Sequence, residues 1–255
     1  DDVMIMNPVY PGMLAFAERS WRGGGYAGWT ATIGEPETER ATAFAEFENR
    51  LLDQKQQYFK GLDFPYVKQA DLVWDIYGPY ENKGNLSKVF APESIKFNAL
   101  KEKPKYKATG GTLVMKHWWA PLISGVVEQP QENTTWYAQT QIWSDEDKQR
   151  EFWIGFNNLS RSMSTDSPNA GTWNNLKSQV WVNNELVSPP LWKHPNQKGN
   201  LEIPLIDEGY EFREPTLISL KKGWNTVKVK LPVASFKGPN WTNPVKWMFT
   251  FVEVK

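Results

Sequence analysis

Between Leu72 and Val254 the chain shows about eight short apolar or alternating runs, separated by turn-forming residues. The runs are Leu72 to Tyr77, Thr112 to Trp119, Thr135 to Trp143, Glu151 to Leu159, Gln179 to Val182, Leu217 to Leu220, Thr226 to Leu231 and Lys246 to Val254. Successive side chains of a strand point to opposite faces, so Thr226-Val227-Lys228-Val229-Lys230-Leu231 gathers its apolar residues on one side only when extended. Between the runs lie Ser144-Asp145-Glu146-Asp147, Val182-Asn183-Asn184-Glu185 and Lys221-Lys222-Gly223, whose residue types turns select. Many short strands with little helical periodicity among them predict a mainly β domain, an antiparallel sandwich of the jelly-roll kind.

Upstream of Phe64-Pro65 the periodicity is helical. Residues 10–25 predict a short helix, with Pro11 at an opening position and Gly23 to Gly25 as its stop. Met13, Ala17 and Trp21 fall at i, i+4 and i+8 with Leu14 beside them, an apolar face that needs cover. A second helix follows, with Pro36 at its first position, Gly61 just past its end, and Phe44, Phe47, Leu51 and Tyr58 as a stripe widened by Leu52 and Phe59. Twelve of the 14 tryptophans come after residue 70, which sets the same boundary. The organisation expected is therefore a helical piece over residues 1–65 and a β-sandwich over residues 66–255. Two helices cannot enclose a core alone, so their apolar faces must rest on the sandwich, a neighbouring chain or another domain.

Charge removes one class of partner. With 29 basic and 29 acidic residues the net charge is zero, so nothing favours nucleic acid or an anionic membrane. No apolar run approaches the ~20 residues of a membrane span. The opening residues, Asp1-Asp2-Val3-Met4-Ile5-Met6, do not resemble a signal peptide. Without cysteine there is no disulfide, thiolate nucleophile or thiolate zinc site. Only His117 and His194 could serve a triad, and no Gly-x-Ser-x-Gly elbow accompanies them, so they read as strand and loop residues. The pairs Asp145-Glu146 and Asp207-Glu208 have the composition of a glycosidase acid pair, but each sits in polar turn sequence where solvent keeps a carboxyl ordinary. Asp145 and Asp147 could alternatively join a loop calcium site, for which one Asp-x-Asp is too few oxygens. No cofactor and no metal is expected.

Tryptophan supplies the remaining candidates. Trp143, Trp153, Trp181 and Trp247 lie within strands and read as core. Trp118, Trp119, Trp192 and Trp241 lie at strand ends or in loops beside Pro, Lys or Asn, where a ring could stack on a sugar or form an interface. Asn85, Asn133, Asn158 and Asn240 stand in glycosylation sequons, which matter only in a eukaryotic secretory host.

The segment Tyr10-Pro11-Gly12-Met13-Leu14-Ala15-Phe16-Ala17-Glu18-Arg19-Ser20-Trp21 resembles the last helix of the catalytic barrel in family 20 glycoside hydrolases, the β-N-acetylhexosaminidases. Pro11, Ala17, Glu18, Arg19 and Trp21 match, and Gly12 stands where the family usually has Arg. Downstream, Val73 to Tyr80, Val180 to Trp192 and Leu220 to Pro232 resemble the galactose-binding-like C-terminal sandwich of many bacterial members. The resemblance implies the C-terminal region of a secreted or periplasmic hexosaminidase, with 1–65 left from a (β/α)8 barrel and the rest of that barrel as partner. The family's His-x-Gly-Gly-Asp-Glu-like motif does not occur here, so no catalytic residue carries over and the chain alone is expected to be inactive. The alternative is a carbohydrate-binding module that holds N-acetylhexosamine-containing glycans on Trp118, Trp119, Trp192 and Trp241.

Overall fold

The computed structural model describes residues 2–24, 31–62, 64, 66–94, 100–117, 119–156, 167–197, 215–237, 245 and 247–254, with side chains from residue 12 onward. Every alternating run coincides with a strand. In chain order they are β1 (Val73–Glu81), β2 (Tyr106–Thr109), β3 (Thr112–Lys116), β4 (Thr134–Ser144), β5 (Lys148–Gly155), β6 (Gln179–Val182), β7 (Glu185–Leu186), β8 (Thr216–Leu220), β9 (Gly223–Val233) and β10 (Trp247–Val254). The two that alternation did not reveal, β2 and β7, are four and two residues long, too short to show a period.

The strands form two antiparallel sheets, one of six in the order β2-β1-β4-β9-β6-β7 and one of four in the order β3-β10-β5-β8. Among the described strands, every connection except β1–β2 and β6–β7 passes from one sheet to the other. The expected antiparallel β-sandwich is thus what the chain forms, with the wrapping of a jelly roll. Each strand except the exposed β7 contributes its inward residues to one core. Trp74, Ile76, Trp136, Ala138, Val227, Val229 and Leu231 come from the larger sheet, and Leu113, Met115, Phe152, Ile154, Phe249 and Phe251 from the smaller. The Trp74 ring meets Phe249 edge-on at 4.9 Å and 83°, the arrangement that sets a positive ring edge against a negative face. Its indole N–H donates to the Gly110 carbonyl at 2.9 Å, so burying Trp74 strands no donor.

Local chemistry fixes the turns. Asn183 and Asn184 both adopt positive φ, 51° and 67°, the conformation a two-residue hairpin needs between β6 and β7. Asn183 also ties the turn to β9, accepting from the Thr226 amide at 3.0 Å. In β1 the register with β4 shifts between Tyr77 and Tyr80. Gly78 sits at that bulge with φ +134°, and a Cβ there would stand 2.8 Å from Trp136 Cδ2, so only glycine lets the strand pass this ring.

The outer face of the larger sheet carries a buried ionic group. Lys230 on β9 is 1% exposed, and its ammonium donates to Glu93 Oε1 at 2.7 Å and to the Lys88 carbonyl at 2.8 Å. The Tyr137 hydroxyl on β4 donates to the same Glu93 carboxylate. Glu93 belongs to a single turn, α3 (Ala91–Ser94), so this charge cluster laces the segment after β1 onto the sheet.

The helices differ from expectation in their limits. The first, α1 (Asp2–Arg22), runs through Pro8 and Pro11 instead of starting at Pro11. Proline's φ is helical, so once upstream residues are helical the ring costs a ladder hydrogen bond without ending the helix. Its Met13, Ala17 and Trp21 face lies in solvent. The second, α2 (Glu39–Gln57), begins three residues later than Pro36 would place it. Thr38 is its N-cap, accepting from the Ala41 amide at 3.3 Å, while Pro36 and positive-φ Glu37 form the turn that leads in.

What holds α2 is a residue that the apolar stripe passed over. Glu48 is fully buried, and its carboxylate accepts from the Tyr66 hydroxyl at 2.7 Å and from the amides of Gln69 and Ala70 at 2.6 and 2.9 Å. The helix is thereby fastened to the segment entering β1. Gln69 carries the link onward, its side-chain oxygen accepting from the Gly111 amide at 2.7 Å. Leu51 is buried beside this anchor, whereas Tyr58, expected in the stripe, is 72% exposed.

Candidate functional site

β4 reaches past β1. The last Cα partners of these strands are Asp75 and Gln139, so Gln141 to Ser144 continue with β9 alone, pairing with Thr226 to Gly223. The chain that would have flanked them, residues 68–72, has turned away to meet α2. A cleft of about 340 Å³ occupies the gap. Its walls are Lys68, Asp71 and Leu72 on one side and Gln141, Ile142 and Trp143 on the other, with Trp224, Phe251 and Glu253 completing the rim and Phe152 and Val252 also lining it.

Two aromatic rings dominate the opening. Trp143 and Trp224 are direct partners across β4 and β9, and their rings meet edge to face at 5.4 Å and 73°. They are 50% and 64% exposed. The sequence places Trp143 in the core, and the structure corrects this. Ile142 packs against the core, so its neighbour in an alternating strand must point outward. Of the other strand tryptophans expected in the core, Trp247 is buried, while Trp153 and Trp181 are half-buried.

The polar groups around these rings are engaged. The Trp143 indole N–H donates to Asp145 Oδ1 at 2.7 Å, which fixes that ring. Asp147 accepts from the Lys222 amide at 2.6 Å, joining the β4–β5 and β8–β9 turns. Asp145 and Asp147 thus shape the turn, and both are exposed. At the rim Lys68 pairs with Asp71 at 2.8 Å, and Arg150 holds Glu253 through 3.1 and 2.8 Å hydrogen bonds.

The loop aromatics fall elsewhere. Trp119 is 55% exposed and follows β3, with its amide donating to His117 Nδ1 at 3.1 Å. Trp192 is half-buried, and its indole N–H donates to the Thr172 carbonyl at 2.7 Å. Neither lines the cleft. Trp118 and Trp241 lie outside the described residues, as do Asp207-Glu208. His194 is in the loop between β7 and β8, as expected.

Two carboxyls among the described residues are displaced away from a general acid's range. The guanidinium of Arg50 beside Glu18 holds that carboxyl below its ordinary range. The Phe236 amide and the Ser235 hydroxyl do the same for Glu132. An acid that donates near neutrality needs the opposite displacement. Among the described residues, no three His, Asp or Glu side chains gather as a metal site would require. No helix among them is long and apolar enough to cross a membrane.

What fold and site define is an antiparallel β-sandwich with an aromatic-lined cleft at one end. No family model and no curated protein matches the sequence. Among solved structures, the chain is similar to the crystal structure of a β-glucosidase from Kluyveromyces marxianus in complex with glucose, at 14% identity and a TM-score of 0.28. That similarity covers 72% of this chain, which spans only 15% of the other. A likeness so loose assigns neither site nor activity.

Proposed function

We propose that this chain is the non-catalytic C-terminal region of a carbohydrate-active enzyme, specifically of a β-N-acetylhexosaminidase of the family 20 glycoside hydrolase type, secreted or periplasmic. In this reading residues 1–65 belong to the end of a catalytic barrel and residues 66–255 form a sandwich that buttresses it. The observation that carries it is the surface of α1. Met13, Phe16 and Trp21 are 46%, 73% and 92% exposed, while Glu18 of the same helix is tied to Arg50 of α2. Through Glu48, α2 is in turn fastened to the sandwich, so the apolar face is presented from a fixed support. Large aromatic side chains left in water in this way mark an interaction surface. The barrel-end motif, with Ala17, Glu18, Arg19 and Trp21, supplies the identity of the partner.

The test is catalytic. The purified chain should release no N-acetylhexosamine from an aryl N-acetyl-β-glucosaminide, and turnover proportional to added chain would refute the reading. In a polypeptide that carries the barrel, Trp21→Ser should destabilise the joined protein by about 3 kcal/mol, as truncating a buried tryptophan does. In the chain alone the same substitution, at an exposed site, should change stability by less than about 0.5 kcal/mol.

A further inference from the structure

We propose that the cleft bordered by Trp143 and Trp224 is a binding site for a neutral saccharide. This goes beyond the proposed role of the chain as a support, and it places the sugar-stacking surface away from Trp119 and Trp192.

Three features select this ligand. First, the rings stand nearly perpendicular, at 73°, so they form a corner instead of a flat patch. A pyranose has one face of axial C–H groups carrying partial positive charge, which complements the negative face of an indole. One ring can take that face while the other closes the side. Second, the cleft combines these rings with polar groups, the Gln141 amide and the carboxylates of Asp71 and Glu253. A sugar presents hydroxyls around its equator and an apolar face above, and needs both kinds of contact at once. The volume of about 340 Å³ lies near the lower end of small-molecule sites, suited to one or two sugar units.

Third, the charges are already matched. Lys68 faces Asp71, and Arg150 faces Glu253. A uronate or sulfated glycan would meet cations whose charge is already offset and would lie beside the Asp71 and Glu253 carboxylates, whose like charge opposes it. A neutral ligand leaves both pairs intact. The hydrogen bond from Trp143 to Asp145 adds preorganisation, because a ring held before binding loses less rotamer freedom on binding.

The experiment is an NMR titration of the chain with N,N′-diacetylchitobiose and with cellobiose, following the indole N–H resonances of Trp143 and Trp224. A glucuronic acid disaccharide serves as the anionic comparison. At least one neutral probe should produce saturable shifts at these two indoles, and Trp143→Ala or Trp224→Ala should weaken binding about tenfold. Both rings are exposed, so the amide fingerprint of the remaining chain should persist in these variants. Trp143→Phe keeps a stacking face and should retain most of the affinity, and Gln141→Ala tests the polar wall independently. The proposal is overturned if neither neutral probe saturates below about 20 mM, a binding free energy of only about 2.3 kcal/mol. It is overturned equally if binding survives both alanine substitutions, or if the anionic disaccharide binds more tightly. Silence here leaves the buttressing role standing, whereas catalytic turnover by the chain would remove that role without touching this site.

Discussion

At the scale of single residues, His117 couples the fold to pH. Burial disfavours its charged form, and the neighbouring Lys116 ammonium adds to that, so its pKa lies below the ordinary 6.5. Its Nδ1 accepts the Trp119 amide, a bond that only an unprotonated nitrogen can make. In the unfolded chain the imidazole takes its proton at the ordinary value. Between the two pKa values the unfolded state therefore binds more protons, and stability rises with pH. The contribution of neutral His117 should be complete above about pH 6.5 and lost as pH falls toward the folded pKa. Urea titrations across that window should show this slope, and His117→Asn should flatten it. At the same scale, Trp143 shows what the sequence withholds. Alternation declares that two faces exist, and only the packing of Ile142 reveals which one is wet.

At the scale of elements, the attachment of α2 rests on one carboxylate. Glu48→Ala removes the acceptor for two backbone amides and the Tyr66 hydroxyl, and should cost about 3 kcal/mol, read as a lower urea midpoint. Glu46→Ala, on the exposed side of the same helix, should cost less than about 0.5 kcal/mol. Sequence reading finds this helix from Phe44, Phe47 and Leu51 but misses its anchor. A glutamate inside an apolar stripe reads as ordinary helix composition until its acceptors meet donors from residues 66–70. The strands are legible for the converse reason, since eight of them carry their own apolar or alternating run. The cleft is not, because it arises where residues 68–72 leave β4, a divergence set by α2 and invisible in any local period. Proline marks neither helix start, since Pro11 lies inside a helix already begun and Pro36 sits in the turn that precedes the Thr38 cap.

For the molecule as a whole, the decisive contacts are distant in sequence. Thr112 and Thr250 bring their hydroxyls to 2.7 Å across 138 positions, joining β3 to β10. β10 lies between β3 and β5, in the interior of the four-stranded sheet, and delivers Phe249 and Phe251 to the core. A chain shortened to residue 245 should therefore fail to fold, with a circular dichroism spectrum lacking the sandwich's strand signal and no cooperative urea transition. This placement also sets a condition on how the protein is made. A ribosome releases β1 to β9 before the strand that both β3 and β5 pair with, at ~5–20 residues per second. For that interval several apolar strands are outside the tunnel with their edges open, the circumstance in which chains pair wrongly with one another. Order of manufacture and order of assembly are opposed in this molecule, because the strand that completes the smaller sheet is the last one made.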